Sequence, residues 1–103
     1  MGEEAVRRRI QELLAGGLAT EVCPRADTPE SVQGLIQRLR EEAGEDLEAR
    51  LVLAGFTLNP VLHGGIEQAC ETCMYYLVHR RWCELPELNL PVEPRWSCRL
   101  WRI

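Results

Sequence analysis

The chain has 103 residues, of which 46% are hydrophobic and 27% are charged, and it carries a formal net charge of −4. This length allows one domain with a modest core, and this composition is typical of a folded chain rather than a disordered one. The negative charge argues against general nucleic-acid binding, which requires a basic face that displaces the counterions of phosphates.

The amino-terminal segment predicts an amphipathic helix over residues 3–15. Its apolar residues are spaced as one helical face: Val6, Ile10, Leu13 and Leu14. Gly16 and Gly17 end the helix, and the arginines at 7–9 form a basic run that we expect on its exposed side. Because charges interrupt the apolar residues, the segment does not have the pattern of a secretory signal. No segment reaches the roughly 20 apolar residues of a membrane span, so we expect a cytoplasmic protein without membrane contacts.

A second helix is predicted after a short connector. Asp27 and Glu30 can form a capping box, and Thr28 followed by Pro29 offers an alternative cap with proline at the first helical position. An apolar stripe follows, and Gly44 ends the helix. The first two helices are therefore expected to form an antiparallel hairpin.

A third segment, residues 47–56, can be capped by Asp46 and is apolar over much of its surface. We favour a helix, with a buried strand over residues 50–56 as the competing interpretation. The fold class predicted from these elements is mainly α.

The carboxyl-terminal part of the chain holds the most informative residues. Residues 70–101 contain four of the five cysteines, both tyrosines and all three tryptophans. The four cysteines follow the pattern C-x2-C-x9-C-x14-C: Cys70, Cys73, Cys83 and Cys98. Helical spacing recurs in a set of neighbouring residues: Ile66, Ala69, Cys70, Cys73, Met74 and Leu77. The sequence thus predicts a helix that carries the first two cysteines and proline-containing loops that carry the last two.

Three kinds of thiol site compete for this pattern. Thiolates are the ligands that zinc and iron-sulfur clusters select. A zinc site could use Cys70, Cys73, Cys83 and His79 and leave Cys98 unused. A C-x2-C pair on a helix can also form a dithiol redox site, although no strand pattern precedes it here.

Aromatic residues favour the cluster over the other two possibilities. Tyr75 and Tyr76 follow the first cysteine pair, Trp82 precedes the third cysteine, and Trp96 and Trp101 bracket the fourth. A cluster needs such a water-poor wall around its ligands, because solvent exposure affects its potential. The fifth thiol, at position 23, is distant in sequence, and we interpret it as a small packed residue.

Apart from the cysteines, the sequence contains no recognisable catalytic or phosphate-binding motif. Neither of its two histidines is placed for a nucleophilic triad, and the pair Gly64-Gly65 lacks the rest of a phosphate-binding loop. The sequence therefore predicts a protein that is not an enzyme. Five arginines surround the cysteines and either form a solvated face or a docking patch for an acidic redox partner: Arg80, Arg81, Arg95, Arg99 and Arg102.

The carboxyl-terminal third also resembles a known family. A C-x2-C pair followed by an aromatic residue, a third cysteine before a proline-containing loop, and the motif W-x-C-x-x-W at 96–101 together resemble the high-potential iron-sulfur proteins. Those are small, loop-rich one-electron carriers with a 4Fe-4S cluster on four cysteines. The resemblance implies that the cluster ligands are Cys70, Cys73, Cys83 and Cys98. It also implies that three aromatic residues shield the cluster: Tyr75, Trp96 and Trp101.

The sequence as a whole predicts a single domain over residues 1–103, with a helical part at 1–63 and a cysteine- and aromatic-rich module at 64–103. The helical hairpin is expected to pack on this loop-rich module. The predicted function is electron transfer or redox sensing through a 4Fe-4S cluster, together with a protein redox partner or a larger enzyme complex. The alternative is a zinc-stabilised protein-protein interaction module without redox activity.

Overall fold

The computed structural model describes residues 2–102, and within that range the fold combines helices with small antiparallel sheets. The α-helices are α1 (Glu3–Ala15), α2 (Pro29–Arg38) and α3 (Leu47–Ala54). The strands are β1 (Val61–His63), β2 (Ile66–Gln68), β3 (Tyr76–Leu77), β4 (Trp82–Cys83) and β5 (Leu90–Pro91). No helix in residues 2–102 is both long enough and apolar enough to cross a bilayer.

The three helices predicted in the first half of the chain are present, and capping side chains account for the starts of α2 and α3. The cap of α2 is Thr28, whose side chain accepts a hydrogen bond from the backbone N–H of Ser31, while the Ser31 hydroxyl accepts one from the N–H of Thr28. The proposed pairing of Asp27 with Glu30 is therefore not the capping box that forms. Asp46 caps α3 through the N–H of Ala49, and residues 47–54 form a helix rather than a strand.

The prediction of a mainly α fold is wrong. Antiparallel pairing joins β1 to β2 in one sheet and β3, β4 and β5 in a second sheet. Each strand is only two or three residues long, so none has room for the period-2 alternation by which a strand is recognised. The correct class is mixed α and β.

The helix predicted over residues 66–77 is also wrong. Ile66 lies in β2 and pairs with His63 across a turn in which Gly64 and Gly65 both adopt positive φ angles of 59° and 79°. Positive φ is readily available to glycine, so this pair favours a tight hairpin turn. The residues that follow the turn then pair with β1 as strand β2 and do not form a helix. Met74, predicted on the buried face, is 56% exposed.

The helical hairpin also differs from the prediction. A single wide turn, the π-helix Leu39–Ala43, connects α2 to α3, and these two helices pack against each other. Helix α1 packs instead against β5. One continuous core joins the helices to the cysteine-containing part of the chain. It includes Ile10 from α1, Leu51 from α3 and Leu88 from the loop before β5. The helices thus support the cysteine module directly.

Replacing Thr28 with alanine tests the observed cap of α2. Loss of the side-chain oxygen leaves an orphan N–H in the first turn, and such changes lower the free energy of unfolding by about 1 kcal/mol. Urea denaturation of Thr28→Ala beside Thr28→Ser, which retains the hydroxyl, measures the effect. Equal stability of Thr28→Ala and the unaltered protein would contradict the assignment.

Candidate metal centre

Four cysteines line a single cavity. They are the four that the sequence analysis selected: Cys70, Cys73, Cys83 and Cys98. Cys70, Cys83 and Cys98 are buried and Cys73 is half-buried, and all four have free thiols. Cys23 is exposed and does not line the cavity, so its interpretation as a packed residue is wrong.

The cavity is small, with a volume of about 20 Å³, and its other walls are apolar or aromatic. Tyr75 and Trp101 lie where the sequence predicted them, on this wall. Trp96 is buried but does not line the cavity. Tyr76, which the sequence analysis also named among the aromatic residues near the ligands, lines the cavity as well. Two further lining residues were not selected from the sequence: Phe56 and Val92.

A short 3-10 turn, Cys70–Thr72, positions the first two cysteines. The backbone N–H of Cys70 donates to the carbonyl of Trp96 at 2.7 Å, and the N–H of Cys73 donates to the carbonyl of Cys70 at 3.0 Å. The indole N–H of Trp101 donates to the Thr72 hydroxyl at 3.0 Å. Trp96 therefore contributes to the site through its backbone, and Trp101 closes over the turn.

The other two cysteines come from a strand and from an extended segment. Cys83 lies in β4 and is opposite Tyr76 on one side and Leu90 on the other. The two neighbours of Cys98 form hydrogen bonds with residues at and just after the end of α3. Ser97 pairs with Thr57, and the N–H of Arg99 donates to the carbonyl of Ala54 at 2.8 Å. Sequence-distant elements thus converge on one cavity.

Burial makes the isolated thiolates unfavourable. It raises the pKa of Cys70 well above its ordinary value, and the neighbouring Cys98, Cys83 and Cys73 thiols raise it further. Burial likewise raises the pKa of Cys83 to about 12 and raises that of Cys98. At neutral pH these groups become thiolates only if a cation compensates their charge, as a bound metal does.

Backbone N–H groups favour the thiolate form of two of the cysteines. The N–H of Leu85 lowers the pKa of Cys83, and the N–H of Leu100 lowers that of Cys98, in each case by hydrogen bonding to the thiolate. Both donors are two residues beyond their cysteine. Such bonds stabilise ligand thiolates and help to set the potential of iron-sulfur clusters.

The proposed zinc set does not come together. His79 is exposed and does not line the cavity, whereas Cys98, which that set leaves unused, does. Within residues 2–102 no group of three or more His, Cys, Asp or Glu side chains has the arrangement that holds a single metal ion.

The arginines near the cysteines do not form one free basic patch. Arg80 pairs with Glu3 and lies over the ring of Trp82, and Arg81 bridges Glu4 and Glu93. Arg95 pairs with Glu67 at 2.8 Å. Arg99 is buried and donates to the carbonyl of Leu53.

Two other buried arginines were not selected from the sequence. Arg7 belongs to the run predicted as exposed, yet it is 4% exposed; Arg25, in the connector before α2, is 6% exposed. A basic residue in a polar segment carries no sequence signal for burial, because the partners of these two are backbone carbonyls and side chains of distant segments.

No protein-family model, curated protein or solved structure matches the chain, so the function is argued from the residues of the site.

Proposed function

We propose that the protein binds a 4Fe-4S cluster through Cys70, Cys73, Cys83 and Cys98 and acts in electron transfer or redox sensing with a protein partner. The observation that carries this proposal is the cavity that all four cysteines line together. A bound cluster would supply one-electron redox chemistry.

The donor set and the walls both support a cluster. Four thiolates are the usual ligand set of 4Fe-4S clusters, and the aromatic rings of Phe56, Tyr76 and Trp101 line the same cavity and limit the access of water. The N–H groups of Leu85 and Leu100 stabilise the thiolate forms of their cysteines. The resemblance of residues 70–101 to high-potential iron-sulfur proteins is a further support for this proposal.

A zinc-stabilised interaction module is the second candidate, with zinc on the four cysteines. A tetrahedral zinc ion holds each sulfur at about 2.3 Å, which would require the thiols to close around one point. Within the described residues 2–102, no three His, Cys, Asp or Glu side chains are placed in this way. Metal analysis separates the two candidates.

The proposed role is non-catalytic and cytoplasmic. Of the four cysteines only Cys73 is not buried, and the half-buried rings of Tyr75 and Trp101 lie on the same cavity wall. The path for electron exchange with a protein redox partner or a larger enzyme complex is therefore shortest on this side. In this proposal the partner therefore docks near Cys73 and Trp101, and neither nucleic acid nor a membrane takes part.

Anaerobic purification followed by metal analysis tests the proposed function. We expect a brown protein with broad visible absorption and with about four iron and four sulfide per chain, the stoichiometry of a 4Fe-4S cluster. The Cys23→Ser variant serves as a matched control and should contain the same cluster. A colourless protein with one zinc per chain would replace the proposal with the zinc module, and a folded, metal-free protein would contradict both.

A further inference from the structure

Arg25 is a buried cation in direct contact with the backbone of a proposed cluster ligand. Its Nη2 donates to the carbonyl of Cys98 at 2.7 Å and to the side-chain oxygen of Gln68 at 2.6 Å, and its Nε donates to the same Gln68 oxygen at 3.0 Å. A weaker bond reaches the Ser97 hydroxyl at 3.4 Å. The next residue, Ala26, donates its N–H to the carbonyl of Arg99, which fixes the connector against the Cys98 segment.

All the hydrogen-bond partners of Arg25 are neutral. Among the described residues, no carboxylate lies within the 4.0 Å of an ion pair with it. The other two buried arginines each have at least one such partner: Arg7 pairs with Glu4 and Glu93, and Arg99 pairs with Glu21. A buried charge is costly unless an opposite charge compensates it. Burial accordingly lowers the pKa of Arg25, and the charge of a Cys98 thiolate raises it.

We propose that Arg25 is the counter-charge of the cluster and that it raises the cluster's reduction potential. This inference rests on the proposed function. Thiolate ligands make the bound cluster anionic, and uptake of one electron from a one-electron reductant adds one negative charge. A fixed cation in a buried, low-dielectric setting stabilises the more negative, reduced form more than the oxidised form.

A redox titration of the purified holoprotein tests the inference. Arg25→Gln removes the charge but keeps a side chain that can donate hydrogen bonds, and we expect it to lower the equilibrium constant for reduction at least tenfold. For one electron that change corresponds to about 59 mV. Arg25→Lys retains the charge and should shift the potential less.

Gln68→Glu provides an independent test that leaves Arg25 in place. Gln68 already accepts two hydrogen bonds from the guanidinium, so a carboxylate of nearly the same shape would pair with it and neutralise its charge. We expect the potential to fall in the same direction as in Arg25→Gln. This variant keeps the inference testable if Arg25→Gln does not fold.

Arg95→Gln is the matched control for loss of one positive charge. Arg95 is exposed and pairs with Glu67 beside the first cysteine pair. Salt screens exposed charges much more than buried ones. Any shift in Arg95→Gln should therefore disappear at high salt, whereas the shift in Arg25→Gln should persist.

The outcomes are distinguishable from those of the proposed function. A wild-type protein without a cluster would overturn the function and this inference together. A protein that holds its cluster with an unchanged potential in both Arg25→Gln and Gln68→Glu would overturn this inference alone.

Discussion

Replacing Cys98 with serine is expected to abolish cluster binding and to destabilise the fold around the cavity. Cys98 is buried, the backbone N–H of Leu100 stabilises its thiolate form, and its carbonyl accepts a hydrogen bond from Arg25. A serine hydroxyl is a harder ligand than a thiolate, so the site would lose one of its four soft donors. Because metal binding contributes to folding free energy, the variant should lose its visible absorption and iron and should melt at a lower temperature.

Cys23→Ser is the control for this prediction. The Cys23 side chain is exposed and does not line the cavity, so iron content, visible absorption and melting temperature should all match those of the unaltered protein. Serine variants of Cys70, Cys73 and Cys83 should behave like Cys98→Ser. Retention of a full cluster in Cys98→Ser, or its loss in Cys23→Ser, would show that the ligand set is different.

The helices could be predicted from the sequence because their signals are local. The spacing of Ile10 with its apolar neighbours defines the buried face of α1, and Thr28 and Asp46 each satisfy an N–H within the first turn of their helix. Such signals require nothing from the rest of the chain. Which helix packs against which could not be predicted in the same way, since α1 contacts β5, about eighty positions away.

The cysteine region was harder to predict because its cysteines line a cavity together with apolar residues. Counting Cys70 and Cys73 as apolar completed a helical pattern over residues 66–77, although both residues line the cavity that the four cysteines share. The structure satisfies their backbone groups instead through the 3-10 turn and the carbonyl of Trp96. Two cysteines at helical spacing can therefore complete an apolar pattern in a segment that does not form a helix.

The candidate ligand set was nevertheless visible in the sequence, whereas the buried charges around it were not. The pattern of four thiols among aromatic residues identified the cysteines that line the cavity. Arg25 could not be identified in this way, because the carbonyl of Cys98 and the side chain of Gln68 reach it only in the folded chain. Backbone carbonyls occur at every position, so a sequence does not indicate which of them a guanidinium will contact.

Replacing Arg7 with methionine is expected to lower the free energy of unfolding by about 1–3 kcal/mol, the range for leaving buried hydrogen-bond acceptors without their donor. Arg7 fastens α1 to the cysteine module: its Nε donates to the carbonyl of Val92 at 3.0 Å, and its Nη2 donates to that of Arg81 at 2.9 Å. It also forms ion pairs with Glu4 and Glu93. Methionine would fill much of the volume but would leave these carbonyls and carboxylates without their donor.

The neighbouring Arg8 makes a matched control, because it is exposed on the same helix and Arg8→Met removes the same charge. Surface changes of this kind shift stability by no more than about 0.5 kcal/mol. Urea denaturation of the two variants measures the difference, and equal stability would contradict the role given to Arg7. Since Val92 lines the cavity, Arg7→Met should also shorten the lifetime of the bound cluster in air, while Arg8→Met should not. Loss of stability without faster cluster loss would mean that α1 supports the fold but not the wall of the site.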